Sequence, residues 1–136
     1  MDTADGDRSG FELAGHWHDD SLDVTAEDLA MTGAGTLRVL RVSGDIDTDT
    51  APVLEDALKQ AAADQPHAVV VDLSGLTFGD SATLNALLQA HHRLPALVIA
   101  GPLNAALQRL FTLAGLDAFF TMTPDVETAV EQLTSS

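Results

Sequence analysis

Cysteine is absent from the 136-residue chain, which removes disulfides, thiolate zinc sites and thiol nucleophiles from its chemistry. Basic residues are scarce. Six stand against 21 acidic ones, and the formal charge of -15 repels phosphate backbones and anionic lipid headgroups alike. Arg8, Arg38, Arg41, Lys59, Arg93 and Arg109 are scattered and form no stripe. Nucleic acid and membrane surfaces are therefore poor candidate partners, neither is expected, and a basic or neutral protein fits better. Long apolar runs are missing too, since no uncharged stretch approaches the ~20 residues of a membrane span. The opening MDTADGDRSG is acidic and lacks an apolar signal region, so a cytoplasmic protein is expected.

What the chain does have is enough apolar material, at 46%, for one core. Residues 1–20, rich in Asp, Gly and His without a sustained period, read as a mobile acidic arm, and the domain is expected over 21–136. Between Leu22 and Met31 the acidic residues interrupt the pattern, leaving one or two short strands. Leu37 to Val42 is a clearer strand. Thr50-Ala51-Pro52 opens a helix with apolar positions Leu54, Ala57, Leu58 and Ala61, and Asp64-Gln65-Pro66 stops it. The run Ala68 to Val71 reads as a strand buried on both faces. A second helix follows from Ser81 to Arg93, then a strand over Leu97 to Ala100. Leu103, Ala106, Leu107, Leu110 and Ala114 mark a third helix, with Gly115 just past its end. Ala118 to Met122 is a candidate last strand, and Thr123-Pro124 a helix start for Val126, Ala129, Val130 and Leu133. Strand and helix alternate four times. The expected fold is α/β, a mainly parallel mixed sheet of four to five strands with four helices.

Chemistry is thin along the chain. Asp80 and Ser81 stand where a buried strand turns directly into a helix, a place where open α/β sheets carry their working loops. On spacing alone, ordinary helix capping by Asp80 or Ser81 explains them without any function. A phosphoryl group on Ser81 would meet the N–H groups of that helix while Asp80 repels it, which suits a switch. Ser81 lacks the flanking glycines of a nucleophile elbow, and His16, His18, His67, His91 and His92 carry no signature of a general base, so no enzyme is expected. Asp45-Ile46-Asp47-Thr48-Asp49-Thr50 departs from a calcium loop at its sixth and twelfth positions. A magnesium phosphatase using Asp45 and Asp47 would need further carboxylate and lysine loops, and Lys59 is the only lysine. Asx-turns account for these residues without metal. Leu103, Leu107, Leu110 and Phe111 form a stripe suited to the core. His16-Trp17-His18-Asp19-Asp20 contains metal-ligating types in the arm, where such clusters are commonly adventitious. No metal and no cofactor is expected.

Taken together these residues resemble the STAS domain, in particular the single-domain anti-sigma factor antagonists of bacteria. Gly44-Asp45-Ile46-Asp47 resembles the family's Gly-Glu-Leu/Ile-Asp turn, and Val70 to Phe78 its central strand and loop. Asp80-Ser81 is similar to its Asp-Ser pair, and Leu110 to Asp117 to its third helix and exit. The resemblance spans about Leu37 to Leu133. It implies an antagonist that binds an anti-sigma factor of the serine-kinase type and frees a sigma factor, with phosphorylation at Ser81 breaking the complex and a serine phosphatase restoring it. The partner-binding surface it implies comprises Asp45, Asp47, Thr48, Asp80, Ser81, Thr83 and Leu84. A binding module without phosphorylation, either a constitutive antagonist or a subunit of a stressosome-like or lipid-transporter assembly, is the alternative. Three departures stand out: Ala82-Thr83 where the family has Ser/Thr-Gly, Gly79 in place of an apolar residue, and a short link at Arg93 to Ala96. Thr83 is expected to present a side chain where a kinase approaches bare backbone.

Overall fold

The computed structural model describes residues 10–31, 33 and 35–134. Six strands form a single sheet in sequential order: β1 (Phe11–His18), β2 (Leu22–Met31), β3 (Gly35–Ile46), β4 (Ala68–Gly79), β5 (Leu97–Ala100) and β6 (Thr121–Thr123). The β1–β2 and β2–β3 pairs are antiparallel, and β3 to β6 run parallel. Helices α1 (Ala51–Asp64), α2 (Ser81–His91), α3 (Ala105–Leu113), α4 (Leu116–Phe119) and α5 (Val126–Thr134) complete the α/β architecture. Among the described residues no helix is long and apolar enough to cross a membrane.

The strictly alternating side chains of the Val-rich central strand explain its unbroken apolar run. Val69 and Val71 enter the larger core with Leu40, Leu54, Leu87 and Phe111, while Val70 enters a second core with Val39, Val98 and Ala129. Among the described residues, helices α1, α2 and α3 thus cover one face of the sheet, and α5 is the helix that packs on the other.

Several boundaries differ from the sequence expectation, each for a physical reason. Among the described residues there are six strands and five helices where four to five and four were expected. The arm expected over 1–20 gives way at Phe11 to strand β1, because pairing with β2 satisfies its backbone and Trp17 packs on the main core; residues 1–9 lie outside the described residues. β2 is one ten-residue strand. Its interrupting acids are ion-paired in register, Asp28 opposite Arg38 and Glu27 diagonal to Arg41, so they need not break the ladder. The last strand starts only at Thr121, since Leu116–Phe119 is helical. Asp125, not Thr123, caps α5 by accepting from the Thr128 N–H at 2.8 Å.

Arg38 is buried and bridges three elements. It donates to both oxygens of Asp28 at 2.7 and 2.9 Å and to Asp64 at 2.7 Å. Asp64 sits at the carboxyl end of α1, where the helix dipole disfavours an anion, and the guanidinium offsets this. The Arg38 hydrogen bond holds the Asp64 carboxyl below its ordinary 3.8, with Gln60 adding to the effect. A depressed carboxylate stabilises the fold above its unfolded value and ceases to do so as the pH falls through the folded value. Arg38→Met is therefore expected to cost about 2 kcal/mol at neutral pH, less than for a fully buried pair because both carboxylates reach solvent. The loss should shrink towards pH 2, a pattern that urea unfolding at several pH values would reveal; a cost independent of acidification would contradict it.

Candidate functional site

Parallel strands β3 and β4 end side by side, with Asp45 opposite Phe78 and Ile46 opposite Gly79. Their exit turns are consequently neighbours. At the end of β3, Gly44 has φ +110°, and a Cβ there would lie 2.1 Å from the Ser21 carbonyl oxygen, so only glycine fits. The Asp45 N–H then donates to that same oxygen at 2.9 Å. Beyond Ile46 the chain forms a tight turn built around one carboxylate. Asp47 Oδ1 accepts from the N–H groups of Asp49 and Thr50 at 2.9 and 3.1 Å. The Thr50 hydroxyl donates to the Asp45 carbonyl at 2.9 Å and accepts from the Asp47 N–H at 3.0 Å. This is the Asx-turn that the spacing suggested, and it presents Thr48 at an exposed tip.

The second turn is held by Asp80. Its Oδ1 accepts from the Ala82 N–H at 2.8 Å as the N-cap of α2. Its own N–H donates to the Ile46 carbonyl at 3.3 Å, which ties the two turns together. Ser81 occupies the first helical position and is exposed. Among the described residues its hydroxyl has no hydrogen-bond partner. The structure therefore brings Asp45, Asp47, Thr48, Asp80 and Ser81 onto one acidic surface at the carboxyl ends of the parallel strands. No group of three or more potential metal ligands occurs among the described residues.

Thr83 and Leu84 do not join that surface. Thr83 is fully buried and Leu84 is 7% exposed, so both face the core beneath the turn. The expectation that Thr83 obstructs an approaching enzyme is corrected accordingly: at the third position of α2 its side chain points inward, and the surface around Ser81 stays open. Gly79 explains how it fits. A Cβ on Gly79 would lie 2.9 Å from Thr83 Oγ1 and 3.0 Å from Leu76 Cδ2. The two departures at 79 and 83 are one compensated exchange of volume. Gly79→Val alone is expected to destabilise by about 2 kcal/mol through overpacking, and by clearly less when combined with Thr83→Gly. A double-mutant cycle on unfolding free energy checks this; strict additivity would sink it.

Two further contributors escaped the sequence reading as site residues. Strand β4 advances one extra residue against β3 at two places, and these bulges leave Phe78 half exposed beside the Ser81 turn. Asn104, the N-cap of α3, donates through Nδ2 to the carbonyls of Leu76 and Thr77, each at 3.1 Å, and accepts from the Leu107 N–H at 2.8 Å. It braces the segment leading into Asp80. An Asn just before an apolar helical pattern was the available signal.

Comparison with known proteins fits this geometry. Residues 29–124 match the family described as "Mlab, STAS domain". The chain belongs to the STAS domain family. Anti-sigma-F factor antagonist RsfB from Mycobacterium tuberculosis is 33% identical over 105 residues, covering 76% of this chain and 82% of that protein. The crystal structure of an anti-sigma factor antagonist from Mycobacterium paratuberculosis superposes with a TM-score of 0.75 at 31% identity, covering 88% of this chain and 99% of that one. The unphosphorylated anti-sigma factor antagonist SpoIIAA, at 16% identity, shares the fold with a TM-score of 0.63 over 93% of this chain and 97% of that one.

Proposed function

We propose that this STAS domain is an anti-sigma factor antagonist. It binds an anti-sigma factor of the serine-kinase type and so releases a sigma factor, and phosphorylation of Ser81 ends the interaction. The single observation that carries the reading is the exposed Ser81 hydroxyl, without a hydrogen-bond partner among the described residues, at the first position of α2 beside the Asp47 turn. The curated relative RsfB, an anti-sigma-F factor antagonist, supports it. Asp45, Asp47, Thr48, Asp80 and Ser81 would supply the contact, and a serine phosphatase would restore the unmodified form. Nothing in this role requires catalysis by the chain, a metal or a cofactor.

The chemistry follows from the helix terminus. A phosphoryl group on Ser81 adds about -1.5 to -2 charge next to Asp80, which already occupies the Ala82 N–H. The positive end of α2 partly offsets that charge, so the fold tolerates it while the docking surface changes sharply. The test is incubation with a cognate anti-sigma kinase and ATP, followed by intact-mass and peptide mapping. One phosphoryl group on Ser81 and loss of the complex are expected. A stable unmodified complex would instead favour constitutive binding, a reading that Asp80's prior claim on the Ala82 N–H supports.

A further inference from the structure

The two faces of the sheet are covered unequally. On the face opposite α2 the nine-residue α5 packs against β4, β5 and β6, and beside it an open cleft of about 690 Å³ remains. Its lining includes Arg41, Asp72 and Ser74 of the sheet, Val126, Glu127, Val130 and Glu131 of α5, and Phe11 of β1. The cleft is thus apolar along Phe11, Val126 and Val130 and carboxylate-edged along α5.

Apart from the ion-paired Arg41, its charge is negative. The Arg41 guanidinium is already offset, donating to Glu27 at 2.9 Å and to Asp72 at 3.2 Å. Among the described residues no Lys or Arg pairs with Asp125, Glu127 or Glu131. Thr128 hydrogen bonds hold the Asp125 carboxyl below its ordinary 3.8, which favours the anion at that end of the cleft. Glu127 and Glu131 are one helical turn apart, a spacing that two cations on a facing helix can match.

We infer that this cleft docks a basic amphipathic segment of a partner protein, with its apolar side chains on Phe11, Val126 and Val130 and its Lys or Arg side chains on Glu127 and Glu131. A second copy of the chain fits poorly, because each carries a formal charge of -15 and only six basic residues. Nucleic acid and anionic lipid are repelled by the same sign. The surface is separate from the Ser81 turn, which lies on the α1 and α2 face, and it does not rest on the proposed function.

The probe is a short helical peptide of leucine and lysine with its leucines on one face, titrated into the full chain by calorimetry and by amide chemical-shift mapping. Shifts are expected to concentrate around Phe11, Arg41 and Val126 to Glu131. Glu127→Lys with Glu131→Lys should weaken binding by about tenfold, whereas Asp56→Lys with Asp117→Lys, an equal charge change away from the cleft, should alter it by less than about twofold. Equal weakening by both charge-reversed pairs, or shifts spread over the acidic surface, would overturn the proposal. The mapping uses the unaltered protein and so stands even if a variant fails to fold.

Discussion

Ser81→Asp is expected to weaken the complex with a serine-kinase type anti-sigma factor by about 100-fold, or about 2.7 kcal/mol, while Ser81→Ala changes it little. Ser81 is exposed at the first position of α2, and the adjoining surface already holds Asp45, Asp47 and Asp80. An aspartate added there must shed water when a partner docks. The Ala82 N–H that would receive it is held by Asp80 at 2.8 Å, so the new charge enters the interface without a donor. The fold should be indifferent or slightly more stable, by up to about 0.5 kcal/mol, because a carboxylate near a helix amino terminus is favourable. Calorimetric titration against the partner, paired with urea unfolding of each variant, separates lost affinity from lost stability. Undiminished binding by Ser81→Asp would remove the switch from the proposed function and leave a constitutive binding module.

Gly44→Ala should have the largest effect on the fold itself, about 4 kcal/mol. Two costs combine, the strain of a side chain at positive φ and the displacement of packed backbone, each about 1–3 kcal/mol. The added Cβ would meet the Ser21 carbonyl oxygen at 2.1 Å, and φ is +110°. That oxygen also accepts from the Asp45 N–H, so moving it disturbs the entry to the Asp47 turn. Against a total stability of about 5–15 kcal/mol this is a major loss, read as a large drop in the urea midpoint. A shift below about 1 kcal/mol would show that β2 and β3 can part at this crossing without cost.

Much of the architecture was legible because local periodicity and burial agreed. The apolar spacing of Leu54, Ala57, Leu58 and Ala61 gave α1, and all four are buried. Gly115, placed past the third helix, has φ +74° and follows Ala114, the C-cap of α3. The acids of β2 misled because an unpaired Asp or Glu breaks a strand pattern, and the sequence does not show that Arg38 and Arg41 stand across from them. Thr83 misled for a related reason. One position in a helix turn reads as a surface departure until its neighbour's missing side chain is seen to make room for it.

For the site, residue order alone put Asp80-Ser81 at a strand-to-helix junction and Asp47 in an Asx-turn, since both depend on contacts within a few positions of the chain. Joining these turns required the parallel register of β3 on β4 and the Asp80 N–H to Ile46 carbonyl bond. The bulges that expose Phe78, the inward turn of Thr83 over Gly79 and the uneven covering of the sheet that opens the α5 cleft are likewise tertiary facts. Each depends on which segments distant in sequence meet and on how much space they leave, and hydrophobic period carries no record of either.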